Sequence, residues 1–387
     1  MINVNSKKKI LIIVDWFTPG YKAGGPIQSC HNIALALKND YDIYVLTTDT
    51  DHGDIEPYNN IQSDTWLTNI DPLVNIYYAR KRTLSFKQLA KEIDVVQADY
   101  IYLNHLFSPY FVLLPLWLKY IGKIKGKVIV CPRGALYDSA LSVKRYKKIP
   151  FLLLFKWMRL HKKVLFHATN NREKEAIEKY FPGSKIIIAN NLPKIDQQQY
   201  ISCNKIIGKI KCVFIARIVA IKNLLFLLNA LEKVKAIVEL TIIGPLEDEV
   251  YWEECKKRIE QLPDNISVEY AGTKQNSELS FILRQHHLFI LPTTGENFGH
   301  SIFEALLAGR PVLISDQTPW LQLNSKKAGW DLPLNNINEF SKVIEVSAAW
   351  DQQQFDEYGK GAWQYAHQFI TNPNLIKEYH NLFAEWN

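Results

Sequence analysis

No stretch of this 387-residue chain is apolar for long enough to cross a bilayer. The longest apolar runs, Tyr110–Leu118 and Ile149–Phe155, fall well short of the ~18–20 residues a span requires, and both contain Pro and border Lys. The first apolar run, Ile10–Val14, is too short for a signal peptide and ends at Asp15 with no small-residue cleavage site. Cysteine is scarce. Its five positions are scattered, odd in number and free of C-x-x-C, which argues against a disulfide framework or zinc site and for a reducing cytoplasm. There is no low-complexity tract or short repeat. The G-x-G-x-x-G signature is absent too, which disfavours a nicotinamide dinucleotide. Neither sign of charge dominates: 46 Lys and Arg against 39 Asp and Glu leave a net +7. Aromatic residues, in contrast, are plentiful. The 19 Tyr, 18 Phe and 10 Trp supply apolar surface that offsets chain entropy, which excludes a disordered chain.

Single cores stop growing near ~250–300 residues, so the length favours two domains. Ile10–Val14 has the unbroken apolar pattern of a strand buried on both faces. Tyr41–Thr47, Val95–Leu103, Val128–Cys131, Lys162–Ala168 and Lys185–Ala189 read as further strands, with Phe111–Tyr120 a buried helix. A second series restarts at Lys211–Ala216 and runs through Val238–Ile243, Ile266–Tyr270, Leu288–Leu291 and Pro311–Ile314. Helical patterns separate these strands, among them Asn223–Val234, Val250–Leu262, Ser277–Arg284 and Ser301–Ala308. Strands alternating with helices predict an α/β chain of two Rossmann-like domains facing a cleft, with ligands beyond the carboxyl ends of the strands. The expected divisions are a domain over 1–193, a linker over 194–207, a second domain over 208–360 and a helical segment over 361–387.

Three clusters carry candidate chemistry. The loop Thr18–Pro26 joins the first strand to the first helix, and Gly24 and Gly25 permit close backbone approach before Pro26. Such a loop offers N–H groups and a positive helix end to a phosphate; the alternative is a plain tight turn. Arg217 and Lys222 follow a strand and precede a helix, a placement that suits a pyrophosphate. Alone, they read equally as solvated loop charges. The third cluster is Thr293-Thr294-Gly295-Glu296-Asn297-Phe298-Gly299-His300-Ser301-Ile302-Phe303-Glu304-Ala305. Glu296 in the turn and Glu304 in the helix can face one crevice, where carboxylates accept sugar hydroxyls. Ser301-x-x-Glu304 also matches a capping box, in which Glu304 only caps the helix.

Together these segments resemble the retaining glycosyltransferases of family four, which have the GT-B fold. Glu296 to Glu304 stands as the E-x(7)-E motif. Cys131-Pro132-Arg133-Gly134-Ala135-Leu136 and Ser315-Asp316-Gln317-Thr318-Pro319-Trp320 look like a bacterial surface-polysaccharide branch. The resemblance implies that Arg217 and Lys222 hold the donor diphosphate, Glu304 the ribose and Glu296 a hexose hydroxyl. Asn297, Phe298, Gly299 and Ile302 would position the sugar, and Gly24 and Gly25 would approach from the other domain. It implies a UDP- or GDP-linked sugar as substrate, no cofactor and no bound metal, since cations and helix ends neutralise the leaving group. It also implies a glycan or polyprenyl-linked acceptor and a C-terminal helix able to return to the first domain. One departure stands out. Where the family often places His at a strand end, this chain reads Leu103-Asn104-His105, leaving open which of Asn104 and His105 faces the sugar. Arg133 and His300 are further candidates on the acceptor side. Asp49-Thr50-Asp51 has the D-x-D form of a metal signature but is expected to be a solvated loop.

Between Ser139 and Arg172 there are nine Lys or Arg and no acid. Lys144, Arg145, Lys147, Lys148, Lys156 and Arg159 interleave with Phe151, Leu152, Leu154, Phe155 and Trp157. That composition suits an interfacial helix on anionic lipid, hence a cytoplasmic protein peripheral to the inner face of the plasma membrane. A core helix with a basic rim is the bland alternative. Two rival functions remain: a nucleotide-sugar epimerase or hydrolase of the same fold, and a basic nucleic-acid-binding protein, for which no recognition motif is present.

Overall fold

A computed structural model describes residues 7–71, 74–142, 144–193 and 199–384. The chain divides into two compact units, Met1–Lys194 with Pro373–Asn387, and Ile195–Asn372. The first contains β1 (Lys9–Ile13), α1 (Gly25–Leu37), β2 (Asp42–Thr48), β3 (Trp66–Asp71), β4 (Val74–Ala79), α2 (Phe86–Val96), β5 (Tyr100–Asn104), α3 (Leu114–Tyr120), β6 (Lys127–Cys131), α4 (Asp138–Ser142), α5 (Arg145–Trp157), β7 (Leu165–Ala168), α6 (Asn171–Tyr180) and β8 (Lys185–Ile188). Its sheet runs β3-β4-β2-β1-β5-β6-β7-β8, parallel except where β3 pairs with β4. Ile10 to Ile13 and Val128 to Cys131 are wholly buried, as two-sided cover by helices demands.

The second unit contains β9 (Lys209–Ile215), α7 (Leu224–Leu231), β10 (Ile237–Ile243), α8 (Glu249–Ile259), β11 (Ile266–Tyr270), α9 (Asn276–Arg284), β12 (Leu288–Leu291), α10 (His300–Leu307), β13 (Val312–Ser315), β14 (Gly329–Leu332), α11 (Ile337–Ala349) and α12 (Gln352–Ile370). Its sheet, β11-β10-β9-β12-β13-β14, is parallel throughout. The last helix, α13 (Asn374–Ala384), belongs to the first unit. There Tyr379 packs on His167, and Phe383 on Tyr41 and Tyr100.

Several boundaries differ from expectation. The strand expected at Val95–Leu103 is shorter. Val95 and Val96 close α2, which Ser85 caps by accepting from Gln88 N at 3.2 Å and which Gln97 ends in a left-handed conformation. The helix expected at Phe111–Tyr120 opens with a wide turn in which Leu113 N donates to Ser108 O at 3.0 Å, five residues back. The expected limit at 360 falls inside α12, whose capping box of Asp351 and Gln354 starts a single uninterrupted helix. Part of the expected linker, 194–198, lies outside the described residues. Beyond it the chain is fastened to the second unit. Tyr200 donates to Asp356 at 2.8 Å, and the buried Lys205 ammonium donates to the carbonyls of Ile206, Lys209 and Ala348 at 2.8–2.9 Å.

Candidate functional site

In a doubly wound sheet the crevice opens where the strand order reverses. In the second unit that point lies between β9 and β12. The segments leaving these strands carry Arg217, Lys222 and Glu296. Lys222 closes a short turn at Ala220–Lys222, after which Asn223 adopts a left-handed conformation and α7 begins. The Lys222 ammonium pairs directly with the Glu296 carboxylate, the two side chains being only 14% and 17% exposed. Arg217 pairs with Glu247 at 2.5 Å and is more open. Lys222 and Glu296, assigned to different parts of a donor, therefore hold each other in this state.

The loop from Thr293 to Gly299 is tethered on every side. Thr294 N and Thr293 Oγ1 donate to Ile221 O at 2.9 and 3.0 Å, which ties it to the Lys222 turn. Glu296 N donates to Gln317 O at 3.0 Å, Ser315 Oγ donates to Thr293 O, and Trp320 Nε1 donates to Phe298 O. Trp320 also packs with Phe298, Phe303 and Phe369. The run Ser315–Trp320 thus acts as the loop's frame, a role that sequence reading missed. Gly299 ends the loop at φ 77° and precedes α10 with no side-chain cap. The dihedral favours glycine, and a Cβ there would lie 2.7 Å from Ile302 Cδ1, so the tip of that side chain would have to shift. Ser301 is then the second helical residue rather than the N-cap, so the capping-box reading of Glu304 is overturned. Asn297 and His300 flank the same turn, with the His300 ring 4.8 Å from that of Phe298.

In the first unit the order reverses between β1 and β5. Asp15, just beyond β1, accepts from Ser108 Oγ at 2.7 Å, and burial raises its carboxyl above the usual range against that bond. Gly24 stands before α1 at φ 66° and ψ −119°, again without a side-chain cap, and Gly25 and Pro26 open the helix. Asp51 organises this loop. It is 4% exposed and accepts from the amides of Tyr21 at 2.8 Å, Lys22 at 3.1 Å and His52 at 2.7 Å. Asp49, also buried, accepts from Ser63 Oγ at 2.7 Å and Lys81 N at 3.0 Å. The expected solvated D-x-D loop is thus corrected: both carboxylates are buried because the chain around them supplies their donors. Among the described residues no group of His, Cys, Asp and Glu is arranged to hold a metal ion.

Asn104 ends β5 and is 1% exposed, with its Oδ1 accepting from Arg133 Nε at 2.8 Å. His105 follows at φ 90°, a conformation that favours glycine. Its Nδ1 accepts from Phe107 N at 3.2 Å, and burial, with Lys148 nearby, pushes the imidazole down to about 4. Arg133 also donates to Tyr102 Oη at 3.0 Å and to Asn191 Oδ1. Tyr102 in turn donates to His167 Nδ1 at 2.8 Å, and His167 Nε2 donates to Ala189 O at 2.8 Å. Sequence reading missed Tyr102, His167 and Asn191, which lie far from Arg133 along the chain.

The basic stretch forms α5. Leu152 and Phe155 face the core, and Lys148 donates to Ala140 O at 2.7 Å with its ammonium over Phe107. The outward apolar set is accordingly Tyr146, Leu153, Leu154 and Trp157: Leu154 and Trp157 are exposed as expected, whereas Leu152 and Phe155 are buried and Phe151 is half-buried. Lys144, Arg145, Lys147, Lys156 and Arg159 remain exposed. Among the described residues no helix is long and apolar enough to cross a membrane.

Residues 209–346 match the family described as "Glycosyl transferases group 1". A 41.2 kDa protein of the cps region of Klebsiella pneumoniae is 22% identical over 361 residues, covering 91% of this chain and 94% of that protein. Among solved structures, Anabaena Alr3699/HepE in complex with UDP and glucose superposes with a TM-score of 0.70 at 14% identity, covering 97% of this chain and 99% of that one. A point mutant of S. aureus TarM, solved with Fondaparinux, alpha-GlcNAc-glycerol and UDP, gives 0.68 at 12% identity, covering 97% and 100%. The chain therefore has the GT-B fold, and its match to the group 1 glycosyl transferases lies wholly within the second unit.

Proposed function

We propose that this protein transfers a sugar, with retention of configuration, from a nucleotide-sugar donor held by the second unit to a glycan or lipid-linked acceptor of a surface polysaccharide. The observation that carries this reading is the convergence of Lys222, Glu296 and the uncapped start of α10 on the reversal point of the β9–β12 sheet. Cations and a helix N-terminus suit a diphosphate, and carboxylates suit sugar hydroxyls. The UDP in the HepE and TarM structures and the cps-region relative support the same reading.

Arg217 and Lys222 would stabilise the leaving diphosphate, Glu304 would take the ribose and Glu296 a hexose hydroxyl. Positive charge already fixed in the site is the expected electrostatic device, and turnover should survive EDTA. The exposed cations of α5, with Leu153, Leu154 and Trp157, would hold the first unit against anionic lipid at the inner face of the plasma membrane. The decisive experiment is a panel of UDP- and GDP-sugars in thermal unfolding. A true donor at ~100 times its dissociation constant adds ~2.7 kcal/mol. No stabilisation by any member would refute the reading, and consumption of the donor without acceptor would redirect it to epimerisation or hydrolysis.

A further inference from the structure

Arg133 is a charge without a counter-charge. It stands beyond the carboxyl end of β6 in a left-handed conformation, φ 55°. Its three hydrogen-bond acceptors, Asn104 Oδ1, Tyr102 Oη and Asn191 Oδ1, are all neutral. Among the described residues no carboxylate pairs with it. Glu173 is occupied by the amide of Gly134 at 2.6 Å and by the amide and hydroxyl of Thr169 at 2.8 and 2.7 Å. Asp15 is bonded to Ser108. A half-buried guanidinium held this way has given up water without gaining an ion partner, which costs free energy that neutral acceptors only partly return.

The donors left over are specific. A guanidinium has five N–H groups, and the three bonds here leave two unspent. The Arg133 Nε–H also fixes the Asn104 amide, because a flipped amide would set N–H against N–H. Asn104 Nδ2 is thereby left buried with no partner. Two adjacent strand ends, β5 and β6, thus carry a positive charge and unmet N–H groups. A sugar hydroxyl would satisfy one N–H and leave the charge. An oxyanion, which only accepts, would satisfy both.

We propose that Arg133 and Asn104 form an oxyanion site in the first unit, one that takes a phosphate or carboxylate group of the substrate bound there. Phosphate would come from a lipid-linked acceptor and carboxylate from an acidic sugar. The site stands apart from the donor reading, since it is defined by residues of the first unit alone.

The test uses full-length protein and its thermal unfolding with inorganic phosphate, glucuronate or glucose, and separately with UDP. Phosphate can also enter the second unit, so each titration is repeated in Lys222→Met. Saturable stabilisation by phosphate or glucuronate but not glucose is expected, persisting in Lys222→Met and weakened at least tenfold in Arg133→Gln. Phosphate alone would point to the lipid-linked source, glucuronate alone to the acidic sugar. Asn104→Asp, which supplies the missing carboxylate, should raise the melting temperature and abolish the anion response while UDP binding stays unchanged. It also decides the case should Arg133→Gln fail to fold. No anion response in the parent protein, a response lost in Lys222→Met, or one that survives Asn104→Asp would overturn the proposal.

Discussion

At the reversal point of the second unit the charges are matched, Lys222 by Glu296 and Arg217 by Glu247. At that of the first they are matched only in part: Lys22 meets Asp54, but Asp15 meets a hydroxyl, and one strand further Arg133 meets only neutral groups. Topology thus chooses where each unit concentrates polar groups, while side chains choose how those groups rest. A matched pair must exchange partners when a ligand arrives, so binding costs the pair and selects ligands that replace both halves. An unmatched charge waits for its partner and selects on sign.

The hardest test of this contrast is Lys222→Met. Loss of one preorganised charge at a leaving group is expected to cut kcat/KM by ~10²–10³-fold, whereas Glu296→Gln, which frees Lys222 rather than removing it, should cost less. Steady-state kinetics on the donor found by the panel separate the two. Equal losses accompanied by equal falls in melting temperature would mean that the pair only braces the loop.

Gly299→Ala comes next. The left-handed backbone and the 2.7 Å approach to Ile302 predict a penalty of ~1–3 kcal/mol. Calorimetry should show it together with weaker UDP binding, since the start of α10 shifts with it. Unchanged UDP affinity would separate this helix end from the donor site.

Arg145→Gln with Lys147→Gln probes the cations of the first unit's outer face. At on the order of 1 kcal/mol per charge near anionic lipid, co-sedimentation with phosphatidylserine vesicles should weaken by ~2 kcal/mol. Melting temperature should hold, both side chains being exposed. Vesicle binding that ignores the double change would remove the membrane reading.

The smallest effect belongs to Ser85→Ala. This cap belongs to the first unit and its Oγ is spent on Gln88 N, so its loss should cost ~1 kcal/mol of stability by denaturant titration without touching UDP affinity. Paired with Gly299→Ala, it tells helix ends that serve the fold from those left open for a ligand.

The second unit's site was readable because it lies on one continuous strand, turn and helix, Leu288 to Leu307. Even there, Glu304 stayed ambiguous until the N-cap proved to be Gly299. In the first unit, Asn104, Arg133, Tyr102, His167 and Asn191 come together only through sheet order, which no local period encodes. Asp51 looked solvated because its amide donors, Tyr21 and Lys22, lie about thirty residues upstream. The sheets were legible where strands are buried on both faces. The pair β3 and β4 was not: Asn75 breaks the apolar run of β4, and β3 carries Thr68, Asn69 and Asp71. On α5, composition revealed the cations but not which apolar side chains the core would claim.

The helix α13 sets an order of manufacture. Its Tyr379, Leu382 and Phe383 are completely buried in the first unit, and Glu378 accepts from Asn190 N at 2.8 Å. Yet these residues leave the ribosome only after all of β9 to α12. The unit that begins first is therefore completed last, and its sheet must wait, with Tyr41 and Tyr100 uncovered, through the synthesis of its neighbour. A fragment ending near residue 194 should expose apolar surface and bind chaperone, whereas one ending near 372 and released from the ribosome should already hold a finished second unit.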